Sequence, residues 1–483
     1  MDIETVYQSP YDEEDRHRIL EELENEIGSE KVSIDNADRV SSSHGFWMIG
    51  ERWTVEGKSP ALPDVVVWPD ETEDVSKILS YANEMGIPVI PYGGGSNVLG
   101  NLVARRGGIS LDMKKMSDIV EIDENNLKAT VQAGMNGMNF EQELRRKGYT
   151  TGNIPQSLYC SSVGGWLATN ATGQFSTKYG GVEKMALGLE AVLPDGEVVE
   201  GSLSPRRSTG PEVFPLFIGS EGTLGTITEA TFKINKEPSG RYFASYVFDD
   251  ISDSINCVEE IMKNDLRPAV VRIYDKIETK RHFYEFPECE DKVVTVFVVE
   301  GNENVAEEEM KEVKDICSKY GVSLGEKPVQ HWLDTRFDVT ETSKYPQYGL
   351  IFDTIEASVG WDNAEEFYRG GIEAMESVDG IVLASAHASH FYPQGVCFYF
   401  TFGGIPPSSK SSQELYEEAW DAAVKSFLDN GGHISHHHGI GLNRGRWLSE
   451  ERESEVNLLK KIKEKVDPNN IMNPGLFQLR EDD

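Results

Sequence analysis

Cysteine is scarce: the 483 residues hold five, Cys160, Cys257, Cys289, Cys317 and Cys397. The number is odd, the spacing is wide and no Cys-x-x-Cys pair occurs. That excludes a disulfide framework and a structural zinc ribbon. Long apolar runs are missing as well, and none approaches the roughly 18 residues a membrane helix needs. Basic residues are few beside acidic ones, 46 against 82, for a formal net charge of −36. A nucleic-acid surface needs clustered Lys and Arg, so nucleic acid is not an expected partner. An anionic small molecule would need a local basic pocket against this global field. The N-terminus, Met1-Asp2-Ile3-Glu4, has neither the basic start nor the apolar middle of a signal peptide. Leu479–Asp483 carries no targeting tripeptide. A cytoplasmic location follows as an expectation, while membrane contact through a surface loop and a homodimer stay open. With 39% hydrophobic and 27% charged residues, the chain is globular and long enough for two or three domains.

A dinucleotide fingerprint of the Gly-x-Gly-x-x-Gly kind opening a helix is also absent. In its place stands Pro91-Tyr92-Gly93-Gly94-Gly95-Ser96-Asn97, directly after the strand signal Ile87-Pro88-Val89-Ile90. Three glycines open backbone conformations closed to other residues and strip one surface of Cβ atoms. Successive N–H groups there can form an anion nest, with Ser96 and Asn97 adding donors. The loop reads as a cradle for a cofactor diphosphate, and, taken alone, equally as a glycine-rich turn.

Along the chain, residues 1–60 read as an N-terminal extension with an amphipathic helix through about Ile27. From Val65 strands and helices alternate: a strand at Val65–Val67, a helix from Glu71 to Met85, strands near 109–111 and 129–133, and a helix from Met138 to Arg146. Small and polar residues dominate Gln156-Ser157 and Ser161-Ser162-Val163-Gly164-Gly165-Trp166-Leu167-Ala168-Thr169-Asn170-Ala171. Asp195-Gly196 marks a hairpin turn. A second glycine-rich turn, Gly219-Ser220-Glu221-Gly222-Thr223-Leu224-Gly225-Thr226-Ile227, precedes a strand. Residues 240–430 change to strand–helix–strand units with few parallel-sheet cues, which predicts an antiparallel sheet covered by helices. The chain closes through Ser435-His436-His437-His438-Gly439, a helix to about Val466, and Asp467-Pro468-Asn469-Asn470.

This ordered set of motifs resembles the FAD-linked oxidases, the vanillyl-alcohol-oxidase type of flavoprotein, over nearly the whole chain from about residue 60. The resemblance implies an α+β fold: a PCMH-type FAD domain of two α+β subdomains over 61–237, an α+β cap with an antiparallel sheet over 238–430, and a segment, 431–483, returning to the flavin side. Within the superfamily the chain is most similar to the alkylglycerone-phosphate synthase branch. Arg207-Ser208-Thr209-Gly210-Pro211, Pro268-Ala269-Val270-Val271-Arg272 and Arg446-Trp447-Leu448 add to that likeness. By resemblance FAD would lie against Pro91, Tyr92, Gly93, Gly94, Gly95, Ser96 and Asn97; Gln156, Ser157, Ser161, Ser162 and Gly164; Ala168, Thr169, Asn170 and Ala171; and Glu221, Gly222, Thr223, Leu224, Gly225 and Ile227. The triple-glycine loop holds no histidine, so noncovalent FAD is expected.

The same resemblance carries a substrate tyrosine onto Tyr399, the central histidine of the triplet onto His437, with His436 and His438 beside it, and one arginine onto Arg272. A second arginine of the synthase falls on His387, and Gln156 stands where the synthase has an acid. Arg holds a phosphate or carboxylate at any pH, but His does so only when protonated. Two activities follow: a synthase-like flavoenzyme acting on an acylated glycerone phosphate, and a D-2-hydroxyacid (lactate or glycolate) dehydrogenase or oxidase. Either acts on a small anionic substrate. Read from the residues, the histidines suit proton transfer near neutral pH. A metal at His390, Cys397 and His437 and a purely structural loop are the other readings, and no metal is expected.

Overall fold

Val65–Val67 is a short apolar run that reads as a strand buried on both faces, and it pairs in parallel with Ile109–Asp112, which is buried throughout. The computed structural model describes residues 3–202, 205–338 and 342–480. Met1-Asp2 and Glu481–Asp483, part of the terminal readings, lie outside the described residues. Three larger sheets organise the rest.

The first runs Val32–Ser33, Val65–Val67, Ile109–Asp112, Val89–Tyr92, parallel except for its first strand. The N-terminal sixty residues therefore do more than precede it. They supply that edge strand and the helix Glu13–Ile27, whose Ile19, Leu23 and Ile27 pack with Val75, Ile78 and Leu79 of helix Thr72–Met85. The second helix stops at Gly86, whose φ of 65° is the left-handed cap glycine takes without cost. The second sheet is antiparallel throughout, in the order Val198–Ser202, Ala186–Val192, Thr226–Lys233, Lys128–Gln132, Ile119–Asp123.

The third sheet has seven antiparallel strands: Val322–Gly325, Gly240–Phe248, Val293–Gly301, Val270–Tyr274, Ile381–Tyr392, Gly395–Gly404 and Ile351–Gly360. Alternation along the strands sorts its side chains. Val271, Ile273, Phe297, Ala386, Phe398, Phe400 and Ala357 face helices Ile251–Lys263, Glu303–Cys317, Ala364–Glu376 and Ser412–Asp429. The opposite face carries Val270, Tyr274, Val294, Val296 and Val298, which share a core with Trp166, Phe175 and Tyr179 of the 120–235 region. The helix side is cemented by the rings of Phe367, Phe400 and Phe427, with centroids 4.7 to 5.7 Å apart. Phe400→Ala should lower the unfolding free energy by about 3–5 kcal/mol, read as an earlier denaturant midpoint.

Helix Gly441–Val466 follows the histidine loop and is broken at Arg452 (φ −146°, ψ 51°). Among the described residues no helix is long and apolar enough to cross a membrane.

Candidate active site

The alternation that buries Val271 and Ile273 turns Arg272 to the other face of the seven-stranded sheet. The same parity puts Tyr274, His387, Tyr399, Thr354 and Glu356 on that face. A register shift between Ala388 and His390 brings His390 to that side as well. The loop before helix Gly441–Val466 then lays His436, His437 and His438 over it.

The rings form a column. Tyr274 stacks on His387 (5.6 Å between centroids), His387 on Tyr399 (4.9 Å), and Tyr399 on His437 (5.8 Å), with interplanar angles of 22° to 28°. Arg272 Nη2 donates to His387 Nε2 at 2.6 Å. A guanidinium has no acceptor to offer, so Nε2 carries the lone pair and the proton sits on Nδ1. That Nδ1 is buried with no partner among the described residues, as is Arg272 Nε. The Arg272 guanidinium also lies over the rings of Tyr274 and Trp332, at 5.6 and 5.5 Å. Thr354 Oγ1 donates to the Tyr399 hydroxyl at 3.1 Å, which leaves the phenol proton for another acceptor.

The site is electrically unusual. Burial pushes the His437 imidazole well below its usual value, and the His438 ring adds to this against the pull of Glu356. His387 is pushed down by burial and then by the Arg272 charge. His390 is lowered by burial and by His436, and burial takes His436 to about 4. At neutral pH these four rings are uncharged bases. Burial raises the Tyr399 phenol, so it stays protonated.

His390, His436 and His437 offer nitrogens that all lie within 4.8 Å of one another. His436 takes the place that the sequence reading gave to Cys397, whose thiol bonds back to its own strand. The trio's nitrogens already have neighbours. Ser176 meets His390 Nδ1 at 2.7 Å, Tyr392 meets His436 Nε2 at 2.6 Å, and His436 Nδ1 meets His437 Nδ1 at 2.9 Å.

The glycine-rich loops meet beside this face. A Cβ on Gly94 would run into the Cys160 carbonyl oxygen, and one on Gly93 into the Ser162 hydroxyl. Gly222, with φ at 77°, lies against the Pro91 ring. Glu221 N–H donates to the Ala168 carbonyl at 2.8 Å. Pro91–Asn97, Gln156–Ser162, Ala168–Ala171 and Glu221–Gly222 thus form one surface. Ser161 and Thr223 spend their hydroxyls on Trp166 Nε1 and the Ser220 carbonyl, and Leu224 and Ile227 point into the core. In the same region Asn153, Asn170, Gln174, Thr177 and Thr226 hold buried polar atoms with no partner among the described residues. Close-packed glycine loops with orphaned buried amides and hydroxyls in the same region fit a dinucleotide such as FAD.

The comparisons agree with that fit. Residues 63–202 match a family model described as an FAD binding domain, and residues 237–476 match the C-terminal domain of FAD linked oxidases. The uncharacterized FAD-linked oxidoreductase YgcU of Escherichia coli K12 is 32% identical, over 95% of this chain and 98% of its own. The chain belongs to the FAD-linked oxidase family. It is an FAD-dependent enzyme. Alkyldihydroxyacetonephosphate synthase of Caenorhabditis elegans is 30% identical over 97% of this chain and 84% of its own. A solved structure of an alkyldihydroxyacetonephosphate synthase superposes with a TM-score of 0.79 at 24% identity, covering 98% of this chain and 86% of that one.

Several residues of this flavoenzyme's site gave no sequence motif. Glu356 and Arg444 pair beneath the histidine loop. Trp332 and Arg336 close the side near Gln156, whose amide donates to the Arg336 carbonyl. Glu221, which the second glycine-rich turn does mark, turns its carboxylate to Asn101, Ile440 and Gly441, partners the sequence did not show. The one available signal was an acid, Glu356, set between Ile355 and Ala357 in strand Ile351–Gly360.

Proposed function

We propose that the chain is an FAD-dependent dehydrogenase of a small 2-hydroxy carboxylate. The observation that carries this is the Arg272–His387 contact. Where the synthase branch would place a second arginine, an uncharged imidazole accepts from Arg272. One guanidinium balances a carboxylate monoanion better than a phosphate dianion.

FAD, when bound, supplies the two-electron acceptor. Pro91–Asn97, Gln156–Ser162, Ala168–Ala171 and Glu221–Gly222 would hold it noncovalently. Acid precipitation should then release the yellow colour into the supernatant. A Cβ at Gly94 would push the triple-glycine loop off the Cys160 carbonyl. Gly94→Ala should weaken FAD retention by roughly 5- to 150-fold, the equivalent of about 1–3 kcal/mol of overpacking, read by fluorescence titration of the apoprotein.

Arg272 anchors the substrate carboxylate through its unpartnered Nε. His437 takes the hydroxyl proton at Nε2, since its Nδ1 already faces His436. Its uncharged state at neutral pH lets it accept that proton, and burial keeps water from competing. Tyr399, protonated, donates to the same substrate oxygen.

A second reading is favoured by one observation. Arg272, Tyr399 and His437, the three residues carried over from the synthase branch, lie on one face, and the synthase of Caenorhabditis elegans is 30% identical. That reading predicts a spectral change only with an acylated glycerone phosphate. The test is anaerobic titration of the purified protein with D-lactate and glycolate, following flavin absorbance. Bleaching supports the dehydrogenase, and its absence with every hydroxy acid rejects it.

A further inference from the structure

The loop that carries the triplet hangs on a charge pair that none of the steps above uses. Glu356, on strand Ile351–Gly360, and Arg444, in the first turn of helix Gly441–Val466, both have fully buried side chains. Arg444 Nη1 and Nη2 donate to Glu356 Oε1 and Oε2 at 2.8 and 2.5 Å. The backbone N–H groups of His436, His437 and His438 also point at Oε1, at 3.3, 3.3 and 3.1 Å. The Ser435 hydroxyl reaches the same oxygen at 3.4 Å, and His438 Nδ1 lies 2.8 Å from Oε2. Three successive amide dipoles converging on one anion make a nest. The far end of the loop is held from the flavin side, where Ile440 and Gly441 N–H groups donate to Glu221 at 2.5 and 3.0 Å.

A buried ion pair is a poor device for stability alone, because an apolar pair of equal volume often does as well. An apolar pair cannot fix three consecutive N–H vectors. Fixing them fixes the Cα–Cβ directions of the three histidines, and with them the imidazoles.

We propose that Glu356, oriented by Arg444, is the positioning residue of the His436–His438 loop and sets where the His437 ring stands relative to Tyr399 and Arg272. It acts through the loop and does not touch substrate. Only the kinetic arm of its test rests on His437 acting as base in the proposed function.

The test uses the full-length, FAD-loaded protein with Glu356→Gln and with the double variant Glu356→Gln/Arg444→Met. The double variant removes both buried charges and keeps a long side chain against Trp420, over whose ring the Arg444 guanidinium lies at 5.2 Å. It carries the test if the single variant fails to fold. Amide exchange in peptides covering 433–442 should rise about tenfold or more, with strands Val293–Gly301 and Gly395–Gly404 unchanged. With D-lactate or glycolate, kcat should fall by roughly 100-fold while KM stays within about twofold, because the carboxylate anchor is intact. Unchanged loop exchange in the double variant overturns the proposal. So does a rise spread equally over the control strands, or a freed loop with the kcat of the unaltered protein. If no hydroxy acid reduces the unaltered protein, the proposed function fails, and the exchange comparison alone still decides this inference.

Discussion

His437→Gln will leave the protein yellow and slow flavin reduction by hydroxy acids by roughly 10²- to 10⁴-fold, the range that a positioned general base contributes. Glutamine keeps the size and a polar end but cannot hold the substrate proton. FAD content should not change, because the glycine loops that would hold the cofactor do not include this loop. Stopped-flow absorbance of the reduced and oxidised flavin reads both quantities at once. The pH dependence sharpens the result. Burial and the His438 ring hold His437 well below the usual imidazole value, so its working form is already the neutral one at pH 6.5. Protonation disables a base, so the rate should stay level from pH 8 down to 6.5 and fall only on the acid side of that. A midpoint at the ordinary histidine value would mean that the titrating group is not His437. In the glutamine variant, the residual rate should lose this acid limb.

The parts of the site that could be read from the sequence are those in which backbone geometry or strand parity does the work. Gly93 and Gly94 are legible because nothing with a Cβ fits beside Cys160 and Ser162. The Ser-Glu-Gly-Thr-Leu-Gly turn is legible for a similar reason, with Gly222 in a left-handed conformation against Pro91. Arg272, His387 and Tyr399 fall on one face because each sits between two apolar residues of its strand that must face the helices. What could not be read is any partnership across long separations. Glu356 meets the triplet from 80 to 82 positions away and Arg444 from 88, and no local pattern announces either contact. Val32–Ser33 is too short to declare itself a strand, so its place at the edge of the first sheet comes only from its pairing with Val66 and Val67. The bulge at Ala388–His390 likewise decides which face His390 takes, and strict alternation would have sent it with Ala388 into the helix side.

The choice between the two activities comes down to Arg272 and the residue it touches. Arg272→Met should raise the KM for D-lactate or glycolate by roughly 10- to 150-fold, the worth of a hydrogen bond to a charged group at about 1.5–3 kcal/mol, with a smaller effect on kcat. Methionine keeps much of the volume against Tyr274 and Trp332, so the fold should tolerate it. Arg272→Lys should recover only part of the affinity, because a point charge cannot present two parallel donors to a carboxylate. The neighbouring position gives the reverse experiment. His387→Arg places a second permanent charge beside the first and leaves Arg272 without its acceptor, so the two guanidiniums repel until an anion joins them. A carboxylate carries one charge to do so and a phosphate nearly two. The variant should therefore bind inorganic phosphate more tightly, and bind D-lactate no better, than the unaltered protein. If it favours neither anion, the charge-matching argument that places the hydroxy acid ahead of the glycerone phosphate fails, and the likeness to the synthase becomes the stronger guide.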